Sequence, residues 1–151
     1  MLNRRQTLAS LAALPVSLIA SACHATSPMI FAPDGVAING YDPVSYFTNS
    51  KPVQGNHNQA VMWKGAIWQF SSGSNRIAFE SDPWAFAPRY GGYCAYSMSI
   101  GKTSTTDPNA WRIHNNKLFL IHDLATRLFW LRDIDGNIDR ANHNWPAVLR
   151  L

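Results

Sequence analysis

A chain of 151 residues that is 46% hydrophobic and 15% charged can bury a core, which excludes a disordered segment, and is too short for two comfortable domains. Its formal charge of +4 includes Arg4 and Arg5 near the N-terminus. Without them, eleven Lys and Arg stand against nine Asp and Glu, which excludes a charge-driven nucleic-acid binder.

The chain opens like an export signal. Asn3-Arg4-Arg5-Gln6-Thr7-Leu8 is followed by an apolar run from Leu8 to Ile19 and by the small residues Ala20, Ser21 and Ala22. The run is shorter than the roughly 20 residues a permanent membrane helix needs. The paired arginines resemble a twin-arginine signal, with Asn3 where Ser or Thr is more usual. A signal peptide over residues 1–25, cleaved after Ala25, is expected; cleavage after Ala22 with lipid attached to Cys23 is the alternative. The protein is therefore expected in the periplasm or otherwise outside the cytoplasm. Cleavage after Ala25 leaves Cys94 as the only cysteine, so no internal disulfide forms and the aromatic core must hold the fold.

Residues 25–32 read as a short disordered lead-in, and one domain spans residues 35–149. Asp42-Pro43 starts a short helix that turns Val44, Tyr46 and Phe47 inward, with Asp42 as cap. Two apolar runs, Gln59 to Trp63 and Ala66 to Phe70, flank Lys64-Gly65 as a hairpin. Ser74 or Asn75 opens a helix through Phe79, and Asp82-Pro83 opens another through Ala87. Tyr93 to Ile100 reads as a helix closed by Gly101. A second hairpin joins Trp111-Arg112-Ile113 to Lys117 through Ile121 around Asn115-Asn116. Leu124, Leu128 and Leu131 at i, i+4 and i+7 predict a helix from Asp123 to Arg132. A last helical segment, from Ile138 to Leu149, is interrupted near Trp145-Pro146. The fold class is α+β: a single small domain with two β-hairpins and several short helices.

The densest chemistry lies in Arg89-Tyr90-Gly91-Gly92-Tyr93-Cys94-Ala95-Tyr96, where three tyrosines and a glycine pair surround the thiol. Cys94 and Met98 are four apart, so a helix carries both sulfurs on one face, and thiolate with thioether suits Cu(I). His114 is a candidate co-ligand. The plain alternative is that Cys94 and Met98 fill the core, as these residues usually do. Tyr41, Asp42, Tyr90, Tyr93 and Tyr96 could line a ligand pocket beside Cys94, with Lys102 adding positive charge. Against that, Asp42 suits a helix cap and the tyrosines suit the core. His57, His114, His122 and His143 form no H-x-x-x-H pair. A thiol nucleophile could be assembled from Cys94, His114 or His122, and one of Asp42, Asp107 or Asp123, but no G-x-S-x-G, P-loop or G-x-G-x-x-G is present.

The stretches Val36 to Phe47, Trp63 to Phe70, Asp82 to Tyr96, Gly101-Lys102 and Lys117 to Leu120 together resemble the stand-alone, exported YHS-domain family. The resemblance covers nearly the whole chain after the leader. YHS domains occur beside copper-transporting ATPases and in some hydroxylases, and metal binding through a pair of cysteines is suspected of them. This chain departs from that pattern, since Cys94 has no second cysteine in the domain, whereas a closed zinc site needs four ligands. The resemblance implies a module that binds a small ligand or a transition-metal ion, copper first. A non-catalytic interaction module serving an envelope protein complex is one alternative, and a thiol-dependent enzyme is another.

Overall fold

A computed structural model describes residues 26–151; the leader read over residues 1–25, with Cys23, lies outside them. The α+β reading holds: two separate antiparallel hairpins are set among short helices. The first hairpin pairs β1 (Asn56–Trp63) with β2 (Ala66–Phe70), and the second pairs β3 (Asp107–His114) with β4 (Lys117–Ile121). Their turns are the Lys64-Gly65 and Asn115-Asn116 pairs, and all four residues adopt positive φ. That conformation matches the right-handed twist of the flanking strands. The helices are α1 (Ser45–Thr48), α2 (Gly73–Ser81), α3 (Pro83–Phe86), α4 (Ala95–Ser99), α5 (Leu124–Leu131) and α6 (Ile134–Asn144).

Strand β4 divides the interior. Its side chains alternate, so Leu118 and Leu120 enter one hydrophobic cluster while Phe119 and Ile121 enter the other. The first cluster gathers Ile38, Val44, Tyr46, Trp68, Phe70 and Phe79 around the first hairpin. The second packs Tyr90, Tyr93, Cys94 and Met98 against Trp130, Ala141 and Leu149. A strand apolar on both faces is normally an interior strand of a covered sheet; here helices and the first hairpin supply the cover.

Caps set most helix starts. Ser72 Oγ accepts from Asn75 N–H, Asp82 from Ala85, Asp123 from Thr126 and Asp133 from Gly136. Helix α6 therefore begins at Ile134, four residues before the expected segment, because Asp133 caps it and Gly136 is tolerated within its first turn. It ends at Asn144, and Ala147–Arg150 forms a separate 3-10 turn beyond Pro146. The leucine spacing that predicts α5 does not mark its buried face. Leu124 and Leu128 are 56% and 62% exposed, whereas Trp130 is fully buried.

The lead-in is not disordered over its described part. Ile30 and Phe31 are buried, Phe31 N–H donates to Gly91 O at 2.9 Å, and Ser27 N–H donates to Leu149 O at 2.8 Å. Three adjacent apolar side chains, Met29 to Phe31, show no helical or strand period, so the sequence does not show this docking, which depends on residues far along the chain.

Three buried phenols tie these parts together. Tyr46 Oη donates to Pro108 O at 3.0 Å and Tyr93 Oη to Pro28 O at 2.9 Å, while Tyr90 Oη meets Asn142 Oδ1 at 3.1 Å. Burial pushes all three above the ordinary phenol value of 10.0. Above that pH the unfolded chain releases protons that the folded chain keeps. Their stabilisation is therefore complete below pH 10 and is lost as pH rises through the folded values. Each phenol held protonated is expected to cost about 1.4 kcal/mol of stability per pH unit over that range. Melting temperatures from pH 9 to 12 check this, and Tyr46→Phe is expected to flatten the decline.

Candidate functional site

The residues singled out around the thiol divide between the two halves. Cys94 caps α4 after Tyr90, Gly91 and Gly92, three consecutive residues at positive φ. Its sulfur is fully buried and accepts from Ser97 N–H at 3.4 Å and His122 N–H at 3.3 Å. Met98 lies one turn on, also fully buried, and Gly101 closes the turn at φ 73° with its N–H on Met98 O. Both sulfurs thus occupy the second core, as the plain reading of these residues expects.

His114 does not join them. It ends β3 at the turn, where Nε2 meets Asp135 Oδ1 at 3.0 Å. Cys94 touches the opposite end of the same hairpin, about 15 Å along the strand. His122 is the histidine beside Cys94, but only through its backbone; its ring Nδ1 lies 3.1 Å from Thr105 Oγ1 and from Thr105 O. Among the described residues, no group of three or more His, Cys, Asp and Glu could hold a metal ion.

Asp42 is also apart from Cys94. It is fully buried and its carboxylate takes five hydrogen bonds, from Val44 N–H, Ser45 N–H, Ser71 N–H, Ser71 Oγ and Asn75 Nδ2. It joins α1 to the end of β2 and the start of α2. Tyr41 makes a single bridge to Gln54, Tyr96 packs on Phe129 with ring centres 6.3 Å apart, and Lys102 is exposed. Of the expected ligand set, Tyr96 lines a shallow surface hollow with Ser104, His122 and Phe129, and Tyr90 alone reaches the aromatic cleft between the two halves.

That cavity lies on the other side of Tyr90 and is the site the sequence did not show. A cleft of about 410 Å³ opens where the two halves meet, within the range of small-molecule sites. The first half gives it Trp63 at the end of β1, Lys64 of the turn, and Trp84 on α3. The second half gives Arg89, Tyr90, Trp145 and Lys117. Trp63 and Trp84 pack edge to face with centres 5.0 Å apart, and Tyr90 and Trp145 do so at 6.1 Å. Lys64 Nζ rests 4.8 Å from the Trp84 ring centre and 5.5 Å from that of Trp63, and the Arg89 guanidinium lies 5.6 Å from that of Tyr90. Trp63 is anchored beneath by Trp68, whose Nε1 donates to its carbonyl at 3.1 Å. The lining comes from five separate stretches of chain, so no local motif announces it; Trp63 and Lys64 were legible only as the edge of a hairpin turn.

Cys94 gives a direct check on thiol chemistry. With its sulfur sealed in the core, alkylation by iodoacetamide is expected to be at least ~1,000-fold slower in the native protein than in urea, because it must await opening of the fold. Rapid native alkylation would restore the thiol-enzyme reading.

Among the described residues no helix is long and apolar enough to cross a membrane. Compared with known proteins, the chain matches no family model, no curated protein and no solved structure.

Proposed function

We propose that this protein is an exported small-ligand-binding module of the YHS-domain type. The observation that carries the reading is the cleft walled by Trp63, Trp84, Tyr90 and Trp145 at the seam of the two halves. Exposed Trp84 and half-buried Trp63 and Trp145 around a concave site, over the buried Tyr90, are what a binding protein needs and what a domain stabilised only by its cores does not. Export rests on the leader of residues 1–25, and the YHS assignment on the motif order from Val36 to Leu120. The ligand branch is preferred to copper because Cys94 and Met98 are enclosed in the core and His114 is held elsewhere.

Native mass spectrometry of protein recovered from the exported fraction tests both parts. A chain beginning after Ala22 or Ala25, carrying a noncovalent small-molecule adduct that Trp84→Ala loses, is the expected result. An adduct kept by Trp84→Ala, or none on the wild type, overturns the cleft as the site; an intact Met1 start overturns export.

A second reading, an interaction module of an envelope complex, is favoured by one feature. Ile100, Leu124, Leu128 and Phe129 are each about half exposed, or more, on the α4–α5 side. Co-purification of an envelope protein lost in Leu128→Asp supports that reading.

A further inference from the structure

We infer that the cleft takes a small anionic aromatic compound: a planar ring system bearing a carboxylate, sulfonate or phosphate group. The inference rests on the reading of the cleft as the ligand site and goes on to its chemistry.

The polar inventory of the lining is one-sided. Its side chains include the cations Lys64, Arg89 and Lys117, the indoles of Trp63, Trp84 and Trp145, and the phenol of Tyr90. No Asp, Glu, Asn, Gln, Ser, Thr or His lines it. Lysine, arginine and indole only donate hydrogen bonds. The Tyr90 hydroxyl is already engaged with Asn142 Oδ1 and Ile138 O. A sugar or other neutral polyol, which must place several hydroxyl protons of its own, finds no side-chain acceptor in the lining but the Tyr90 oxygen, whose own proton is directed to α6, and a cation is repelled. A ligand whose polar end only accepts is the complement, and an anion is the strongest such acceptor.

The positive charge is also uncancelled. Among the described residues the ion pairs are Arg76 with Glu80, His114 with Asp135 and Arg140 with Asp133, and none involves Lys64, Arg89 or Lys117. Of the acids in the neighbouring elements, Asp82 is held as the cap of α3, and Asp139 on α6 acts on Tyr90 without pairing with any of the three cations. Three like charges around one concavity with apolar walls concentrate a positive potential inside it.

The rings set the rest of the ligand. Lys64 and Arg89 lie against aromatic rings, which holds their charges at the walls, and the exposed Trp84 with the half-buried Trp63 and Trp145 supplies indole surface for a flat guest.

Two dyes with the same skeleton separate charge from shape: 1-anilinonaphthalene-8-sulfonate and its neutral parent N-phenyl-1-naphthylamine. Both are to be titrated against the folded wild type by dye emission and tryptophan quenching. The sulfonate is expected to bind one to one and about tenfold more tightly than the neutral dye at low salt, with affinity falling as salt rises. The double variant Lys64→Gln, Lys117→Gln is expected to abolish that preference with an unchanged melting temperature. Leu128→Ser, on the α5 face, is expected to leave binding as it is. Equal affinity for the two dyes, or a preference indifferent to salt and to the lysine variant, overturns the anionic assignment and leaves the cleft reading standing. Failure of both dyes to bind, or binding unchanged in Trp84→Ala, overturns the cleft reading as well.

Discussion

Gly91→Ala is expected to destabilise the domain by about 2–4 kcal/mol, through strain and overpacking together. Gly91 sits at φ 63°, where an L side chain is strained. A Cβ added there would also run into the carbonyl oxygen of Met29. That oxygen is backbone, and the segment carrying it is fixed by the Phe31 N–H to Gly91 O bond, so the collision can be relieved only by undocking residues 28–31. Gly92→Ala meets a different obstacle, the Cγ2 of buried Ile38 at 2.6 Å, again at positive φ. Either substitution is expected to lower the melting temperature by roughly 10 °C in a domain of this size. Thermal denaturation of the two single variants checks the result, and unchanged melting in both would falsify the docking of the lead-in described here. Gly91 also lines the cleft, so loss of dye binding is expected to accompany loss of stability.

Asp42→Ala is expected to cost about 3–5 kcal/mol, the range for removing one partner of a buried, charged hydrogen-bonded group. The substitution strands five donors contributed by three parts of the chain. Asp42→Asn is expected to recover little. Its amide nitrogen must replace one oxygen, and both oxygens face only donors: Oδ1 receives two backbone N–H groups, and Oδ2 receives Ser71 N–H, Ser71 Oγ and Asn75 Nδ2. Urea unfolding of the two variants checks this. An Asn variant as stable as wild type would show that the charge at position 42 contributes nothing.

Local chemistry was the legible part of the sequence. Lys64-Gly65 and Asn115-Asn116 mark both hairpins because the turn conformation depends on the two residues themselves. Asp82-Pro83 and Asp123 mark helix starts for the same reason, and the glycine pair before Cys94 is at positive φ as its composition suggests. What escaped depends on distant partners. The helical period of α5 is plain in its leucines, yet the buried face centres on Trp130, because the second core needs one large ring there more than it needs two leucines. Asp42 reads as a helix cap, and its Oδ1 does cap α1; nothing local shows that Oδ2 waits for Ser71 and Asn75 some thirty residues later. The tyrosines near Cys94 are core residues whose hydroxyls reach backbone or Asn142, apart from Tyr96 on Phe129. The cleft is the extreme case, since Trp84, Lys117 and Trp145 become neighbours only after both halves have formed.

The bond from Ser27 to Leu149 gives the fold the character of a clasp. It joins residues at the two ends of the described chain, so the entropy of closing that loop is recovered only once nearly everything between them is ordered. Contacts of such long sequence separation form late and slow the overall rate. They also contribute little until the rest is built, which places this edge among the first parts to exchange amide hydrogens in the native protein. Met29 and Ile30, a few residues along from the clasp, are part of the wall of the cleft. The rim of the cleft is thus tied to this end-to-end contact, and its order reports on the completeness of the whole domain.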